Sequence, residues 1–325
     1  MSTQLNNVND DSTIIALAFN SGYAMPGAVT LRSVAEHVRG RVTVYIVDCG
    51  LRAEDKAKVE ASLLIRSDIT LLFVNLPPDS VASKLGPAWA RVDVMRCLPA
   101  ERVIYLDADT LVRKDLRELW RTDLSGHAIA AAPDLWCPMG HDRIPRGEYF
   151  NSGVLLLDLV KIRSTFPALE ALCYEMKDAL FWDQDPLNIH FRGDRLWLSL
   201  TWNAHGIGTV AEWPDPERQK LPLEQLNDPA IVHFTGPVHP FASSVLHPYL
   251  RPTQAKPWGF GGAPGNPYEK EWWEMLEKTV WKGLRQTTEY KEICEEAKVR
   301  AWNNAEEEFN RKIDAVWSCG PPGPR

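Results

Sequence analysis

The run Val103-Ile104-Tyr105-Leu106-Asp107-Ala108-Asp109 reads as a buried strand that ends in two carboxylates one residue apart. A strand of this kind delivers anionic oxygens to the rim of a sheet, where α/β folds bind ligands. Two such carboxylates can hold a hard divalent cation, and that cation can neutralise a diphosphate. A lone Asp-x-Asp at a strand end is more often structural than functional, so the surrounding chain has to decide.

Upstream, strands and helices alternate. Residues 13–19 form a short apolar run closed by Asn20-Ser21-Gly22, a strand and a turn. Ala28, Leu31, Val34, Ala35 and Val38 recur at helical spacing. Residues 42–47 are a second strand ending at Asp48-Cys49-Gly50, residues 53–64 an amphipathic helix, and residues 69–74 a third strand. A helix over 89–98 then precedes the fourth strand at 102–106. The alternation predicts an α/β fold with a mostly parallel sheet and helices on both faces. No Gly-x-Gly-x-x-Gly follows the first strand, so a nucleotide would be held without the dinucleotide fingerprint.

Downstream, a helical turn at 116–120 and strands at 129–132 and 154–159 are expected, then a helix over 167–180. Residues 201–267 are rich in Trp, Pro, Gly and His, which suggests loops packed over a site. Residues 268–317 carry charges and aromatics at helical spacing, two or three helices that end in a disordered tail at 320–325. The expected division is a catalytic domain at 12–265 and a helical extension at 266–325.

Composition narrows the function. A net charge of −7 argues against a general nucleic-acid binder, although a metal could supply positive charge locally for a nucleotide. The 6 cysteines show no C-x-x-C spacing, which favours a reducing compartment over a zinc site or a disulfide framework. Residues 1–11 are polar and lack a signal-type apolar core, and no apolar run approaches the ~18–20 residues of a membrane helix. The expected location is cytoplasmic. Trp272, Trp273, Trp281, Trp302 and Trp317 are interleaved with mixed charges, which fits helices packing on the domain or on a second subunit better than on a membrane.

Four patches stand in order: Tyr105-Leu106-Asp107-Ala108-Asp109-Thr110, Phe150-Asn151-Ser152-Gly153-Val154, Asp183-Gln184-Asp185, and His233-Phe234-Thr235-Gly236. Each is weak alone; in this order and spacing, over residues 13–240, they resemble glycosyltransferase family 8, the retaining sugar-nucleotide transferases. The resemblance implies a GT-A fold, a Mn²⁺ or Mg²⁺ cofactor, and transfer of glucose or galactose from a UDP-sugar to a glycan, lipid-linked sugar or protein acceptor. It places Asp107, Asp109 and His233 as metal ligands, with Ala108 beside them against the donor. Carboxylate and imidazole ligands suit Mn²⁺.

The same resemblance assigns Arg91 to the donor phosphate and sugar, a task that suits the fixed donors of a guanidinium. Asn151 and Ser152 lie against the donor sugar, and Asp183 and Gln184 grip its hydroxyls, while Asp185 supports them. Ala18, Asn20 and Tyr23 fall where the family holds uridine, with Asp48 bordering the same pocket. The sequence departs twice. Asn20 replaces the usual acidic residue, which leaves UDP favoured over GDP without deciding it. After Gly236 the diphosphate lysine is missing, so either His239 or the downstream Lys256 takes its place; lysine, charged at neutral pH, is favoured. A nucleotidyltransferase and a catalytically silent sugar-nucleotide scaffold are the alternative readings.

Overall fold

The computed structural model describes residues 12–135, 147–207, 216–235, 256–263 and 265–318. The expected tail at 320–325, the polar start at 1–11, Gly236 and His239 lie outside the described residues.

Among the described residues, the central sheet has seven strands. β1 (Thr13–Phe19), β2 (Val42–Asp48), β3 (Ile69–Asn75) and β4 (Arg102–Leu106) run parallel in the order β3-β2-β1-β4. β7 (Phe150–Asp158) then pairs antiparallel with β4 on one side and with β6 (Ile129–Pro133) on the other. β8 (Arg195–Trp197) closes the far edge, parallel to β6. The sheet is thus mixed and mostly parallel. Hydrophobic content marks a strand but not its direction, so the reversal at β7 was not visible in the sequence.

Side chains alternate between two cores, as the period of a strand requires. Ile15, Leu17, Ile104, Leu106, Val154 and Leu156 face one core, covered by α1 (Ala24–His37) and α2 (Ala53–Leu63). Ala16, Val103, Tyr105, Leu155 and Leu157 face the other, under α4 (Ala90–Cys97), α6 (Leu159–Glu175) and α7 (Gln184–His190). The Asp93 carboxylate of α4 accepts the Val81 and Ala82 N–H groups at 3.0 and 2.8 Å, capping α3 (Val81–Leu85) and fixing the two helices together. The helix expected over 167–180 in fact starts eight residues earlier, because Asp158 accepts the Lys161 N–H at 2.9 Å as an N-cap. Pro167 sits inside that helix rather than opening it.

A second sheet pairs β5 (Thr110–Val112) with β9 (Ile231–His233), antiparallel, with Thr110 opposite His233. A third core covers it. Leu111, Val232 and Phe234 pack with Trp272, Trp273, Met275 and Leu276 of α8 (Glu269–Leu276). Burying each large apolar side chain there contributes about 1.5–3 kcal/mol. α9 (Thr288–Ser318) follows α8, and Ile293, Val299 and Trp302 on it are exposed. Among the described residues, no helix is long and apolar enough to cross a membrane.

Candidate active site

Chain geometry places the two carboxylates. The Asp107 N–H donates to Gly153 O at 2.8 Å, which continues the β4–β7 ladder one step past the strand. The Thr30 hydroxyl of α1 donates to Ala108 O and Thr110 O at 3.1 and 2.7 Å and clamps the turn from below. The Phe234 N–H donates to Asp109 O at 3.0 Å, so the exit of the turn is tied to β9. β9 in turn delivers His233, whose Nε2 lies 3.2 Å from Asp109 Oδ1 and 3.6 Å from Asp107 Oδ2.

These three residues offer ligand atoms within 4.8 Å of one another. Glycine at 153 permits the approach, since a Cβ there would fall 2.1 Å from His233 Cε1. Behind the histidine stands a polar chain. Asn203 Nδ2 donates to Asn151 Oδ1 at 2.9 Å, which turns Asn203 Oδ1 towards His233 Nδ1 at 3.1 Å. In the neutral ring the Nδ1 proton therefore goes to Asn203, and the Nε2 lone pair faces the carboxylates. Two carboxylates and an imidazole lone pair fit Mn²⁺ or Mg²⁺.

Two cations brace the carboxylates. Arg91 donates through Nη2 to both Asp107 oxygens at 2.7 and 2.9 Å, and through Nη1 to Asp183 Oδ2 and Ser152 Oγ, each at 2.6 Å. Lys256 Nζ donates to Asp109 Oδ2. Burial pushes the Asp109 carboxyl up, but Lys256 and His233 outweigh it and hold the group well below the usual carboxylate range. Asp183 goes the other way. Its burial outweighs Arg91, and with repulsion from Asp107 the carboxyl is pushed up to about 6.

α7 presents Asp183 and Gln184. The Asn188 side chain both accepts from Phe150 N and donates to Phe150 O, at 2.8 and 2.9 Å, which staples α7 to β7. Gln184 Oε1 accepts from Ser152 N and Oγ at 2.9 and 3.1 Å, and its Nε2 donates to Asp134 Oδ2 at 3.1 Å. Asp185 accepts the Tyr149 hydroxyl at 2.5 Å and the Phe181 N–H at 3.2 Å, a supporting position.

A cavity of about 280 Å³ opens here, lined by Ala18, Asn20, Tyr23, Arg91, Asp107, Ala108, Asp109 and Asp183, and also by Pro87, Ala88 and Trp182. Asn151, Ser152, Gln184 and His233 stand behind its wall, joined to it by the contacts above. Asn20 Oδ1 accepts the Gly22 N–H at 2.9 Å, so this oxygen caps its own turn. Asp48 does not line the cavity. Its carboxylate accepts from Gly50 and Leu51 N–H at 2.9 and 2.6 Å and pairs with Lys56 at 2.5 Å, which corrects its expected place. Asn203, Asp134 and Trp182 were not singled out from sequence. Asp134 carries the one signal that could have found it, a carboxylate directly after a strand.

The sequence model of glycosyl transferase family 8 matches residues 14–244. The chain belongs to this family. General stress protein A of Bacillus subtilis is 28% identical over 230 residues, 64% of this chain and 79% of that protein. The lipopolysaccharide 1,2-glucosyltransferase of Escherichia coli is 27% identical over 267 residues, 76% of this chain and 69% of that enzyme. Glycosyltransferase GlyF of Streptococcus pneumoniae is 29% identical over 231 residues, and this chain spans 55% of its length. Among solved structures, the galactosyltransferase LgtC with donor and acceptor sugar analogues superposes at a TM-score of 0.65 with 24% identity, over 83% of this chain and 99% of LgtC. The family 8 chain therefore has the GT-A-like α/β fold and is a glycosyltransferase.

Proposed function

We propose that this family 8 enzyme transfers a hexose, glucose or galactose, from a UDP-sugar to an acceptor hydroxyl with retention of the α configuration. One observation carries the reading: Asp107, Asp109 and His233 converge at the inner end of a cavity whose next residues are the Arg91–Asp183 pair. The similarity to the lipopolysaccharide 1,2-glucosyltransferase of Escherichia coli supports glucose as one candidate donor. Asp107, Asp109 and His233 would hold the divalent cation, which when bound supplies positive charge against the departing diphosphate.

The protein's own groups do the rest. Lys256 brings a buried ammonium to the diphosphate end through its contact with Asp109, in the part assigned to either it or His239. Arg91 is positioned to offer guanidinium donors at the junction of phosphate and sugar. Gln184 and Asn151 are locked by hydrogen bonds on both ends of their amides, which suits them to shape the sugar pocket. In a front-face route the leaving phosphate takes the acceptor proton and no enzymic nucleophile is needed. A double displacement would use Asp183, the carboxylate of α7 that lines the cavity. An Asp183→Asn enzyme with near-native turnover would exclude that route.

The division at residue 265 and a cytoplasmic location belong to the same proposal. Cys49, Cys97, Cys173 and Cys294 are free thiols, in keeping with a reducing compartment. The test is a panel of UDP- and GDP-sugars with Mn²⁺, scored for donor hydrolysis. UDP-glucose or UDP-galactose should be turned over only with metal. Turnover of GDP-sugars alone would overturn the uridine assignment, and turnover of none would overturn the reading.

A further inference from the structure

Trp182 combines two features that are unfavourable in the free protein. Its backbone is left-handed, at φ 47°, and its side chain is 57% exposed. Left-handed backbone crowds a Cβ against the adjacent carbonyl, and for a bulky residue it is a genuine outlier. Glycine would adopt it freely.

The turn that forces this geometry is closed on both sides. Trp182 N–H donates to Ala179 O at 3.2 Å, and Gln184 N–H donates to Phe181 O at 3.0 Å. The turn brings Asp183 inward, onto Arg91 at 2.6 Å, and leaves the indole on the wall of the cavity. Positioning Asp183 needs the turn but not the indole. The ring must answer to something else.

The rest of the cavity indicates what. Its inner end is polar, with Asp107 and Asp109. Its exposed members are Trp182, Pro87, Ala88 and Tyr23, a largely apolar lip open to solvent. A molecule that enters after the donor meets this lip first. A pyranose whose hydroxyls are mainly equatorial carries a run of C–H groups on one face, and a flat apolar ring with a polar edge is the complement of such a face.

We propose that Trp182 is the platform on which the acceptor stacks, and that the acceptor is a sugar presenting a pyranose face. This rests on the glycosyltransferase reading above. It makes the acceptor a glycan or glycoside and not a protein hydroxyl.

The experiment measures UDP release from UDP-glucose and UDP-galactose with Mn²⁺, alone and with methyl β-glucoside, methyl β-galactoside, lactose or maltose. At least one pyranoside should accelerate release saturably in the wild-type enzyme. Trp182→Gly should raise the KM for that pyranoside at least about tenfold more than the donor KM, and should melt no lower than wild type because glycine relieves the left-handed backbone. Trp182→Phe should recover most of the loss. Equal changes in acceptor and donor KM, or a donor-hydrolysing wild type indifferent to every pyranoside, would overturn the platform. A wild type that hydrolyses no donor overturns the underlying transferase reading as well, and the acceptor-free assay identifies that case.

Discussion

Gly153 and His233 meet so closely that no side chain fits between them: a Cβ on residue 153 would fall 2.1 Å from His233 Cε1 and 2.9 Å from Asp107 Oδ2. The mid-strand glycine is thus part of the candidate metal site, although it offers no ligand. Gly153→Ala should push both His233 and Asp107 off position. Overpacking of this kind costs about 1–3 kcal/mol, visible in urea unfolding. Mn²⁺ affinity, measured by calorimetry on the folded protein, should fall at least about tenfold. Unchanged affinity would mean that His233 is not a ligand.

Asn203 sets the direction of the histidine ring through its 3.1 Å contact with Nδ1. Asn203→Leu removes that contact and also the 2.9 Å bond to Asn151 Oδ1, which keeps only the Gly153 N–H at 3.0 Å. Loss of such a supporting group typically lowers metal affinity by about 10–100-fold. The expected pattern is a higher Mn²⁺ requirement for donor hydrolysis that saturating metal partly restores. A variant with the wild-type Mn²⁺ dependence would remove Asn203 from the site.

Asp183 predicts a pH dependence of stability. Its carboxyl is raised to about 6 in the folded protein from an ordinary 3.8. The folded state therefore keeps a proton that the unfolded chain releases between about pH 4 and 6, so stability falls as pH rises through that window. Above it the penalty is complete, about 3 kcal/mol. Asp183→Asn deletes the titrating group. Relative to wild type, the variant should gain stability from pH 4 to pH 7 in urea unfolding while losing turnover. Parallel curves for the two proteins would show that Asp183 ionises normally.

Trp272 is fully buried in the core formed by α8 and the small β5–β9 sheet. Trp272→Ala should cost about 3–5 kcal/mol. Because β9 carries His233, the loss should also lower turnover, measured below the unfolding transition. Turnover unaffected in the folded variant would separate α8 from the site.

The sequence showed what is contiguous in it. β4 and its two carboxylates lie within eight residues, so strand pattern and chemistry could be read together. Asn203 was hidden because its partners, Asn151 and His233, are 52 and 30 residues away, and no local spacing records such a network. Pro167, a residue that usually opens a helix, masks the true start of α6, which the Asp158 cap sets. Asn151-Ser152-Gly153 lies inside β7 and not before it, since Phe150 pairs with Pro133 of β6 on one side and Gly153 O accepts the Asp107 N–H on the other, which overrides the turn preference of these residues.

The most direct test is Mn²⁺-dependent release of UDP from UDP-glucose or UDP-galactose by chelator-treated enzyme, comparing wild type with Asp109→Asn. A saturable rise with Mn²⁺ in wild type, and a loss of at least about a hundredfold in the variant, is the expected result. Equal rates with and without metal, or an Asp109→Asn enzyme as active as wild type, would contradict a metal-dependent transferase built on Asp107, Asp109 and His233.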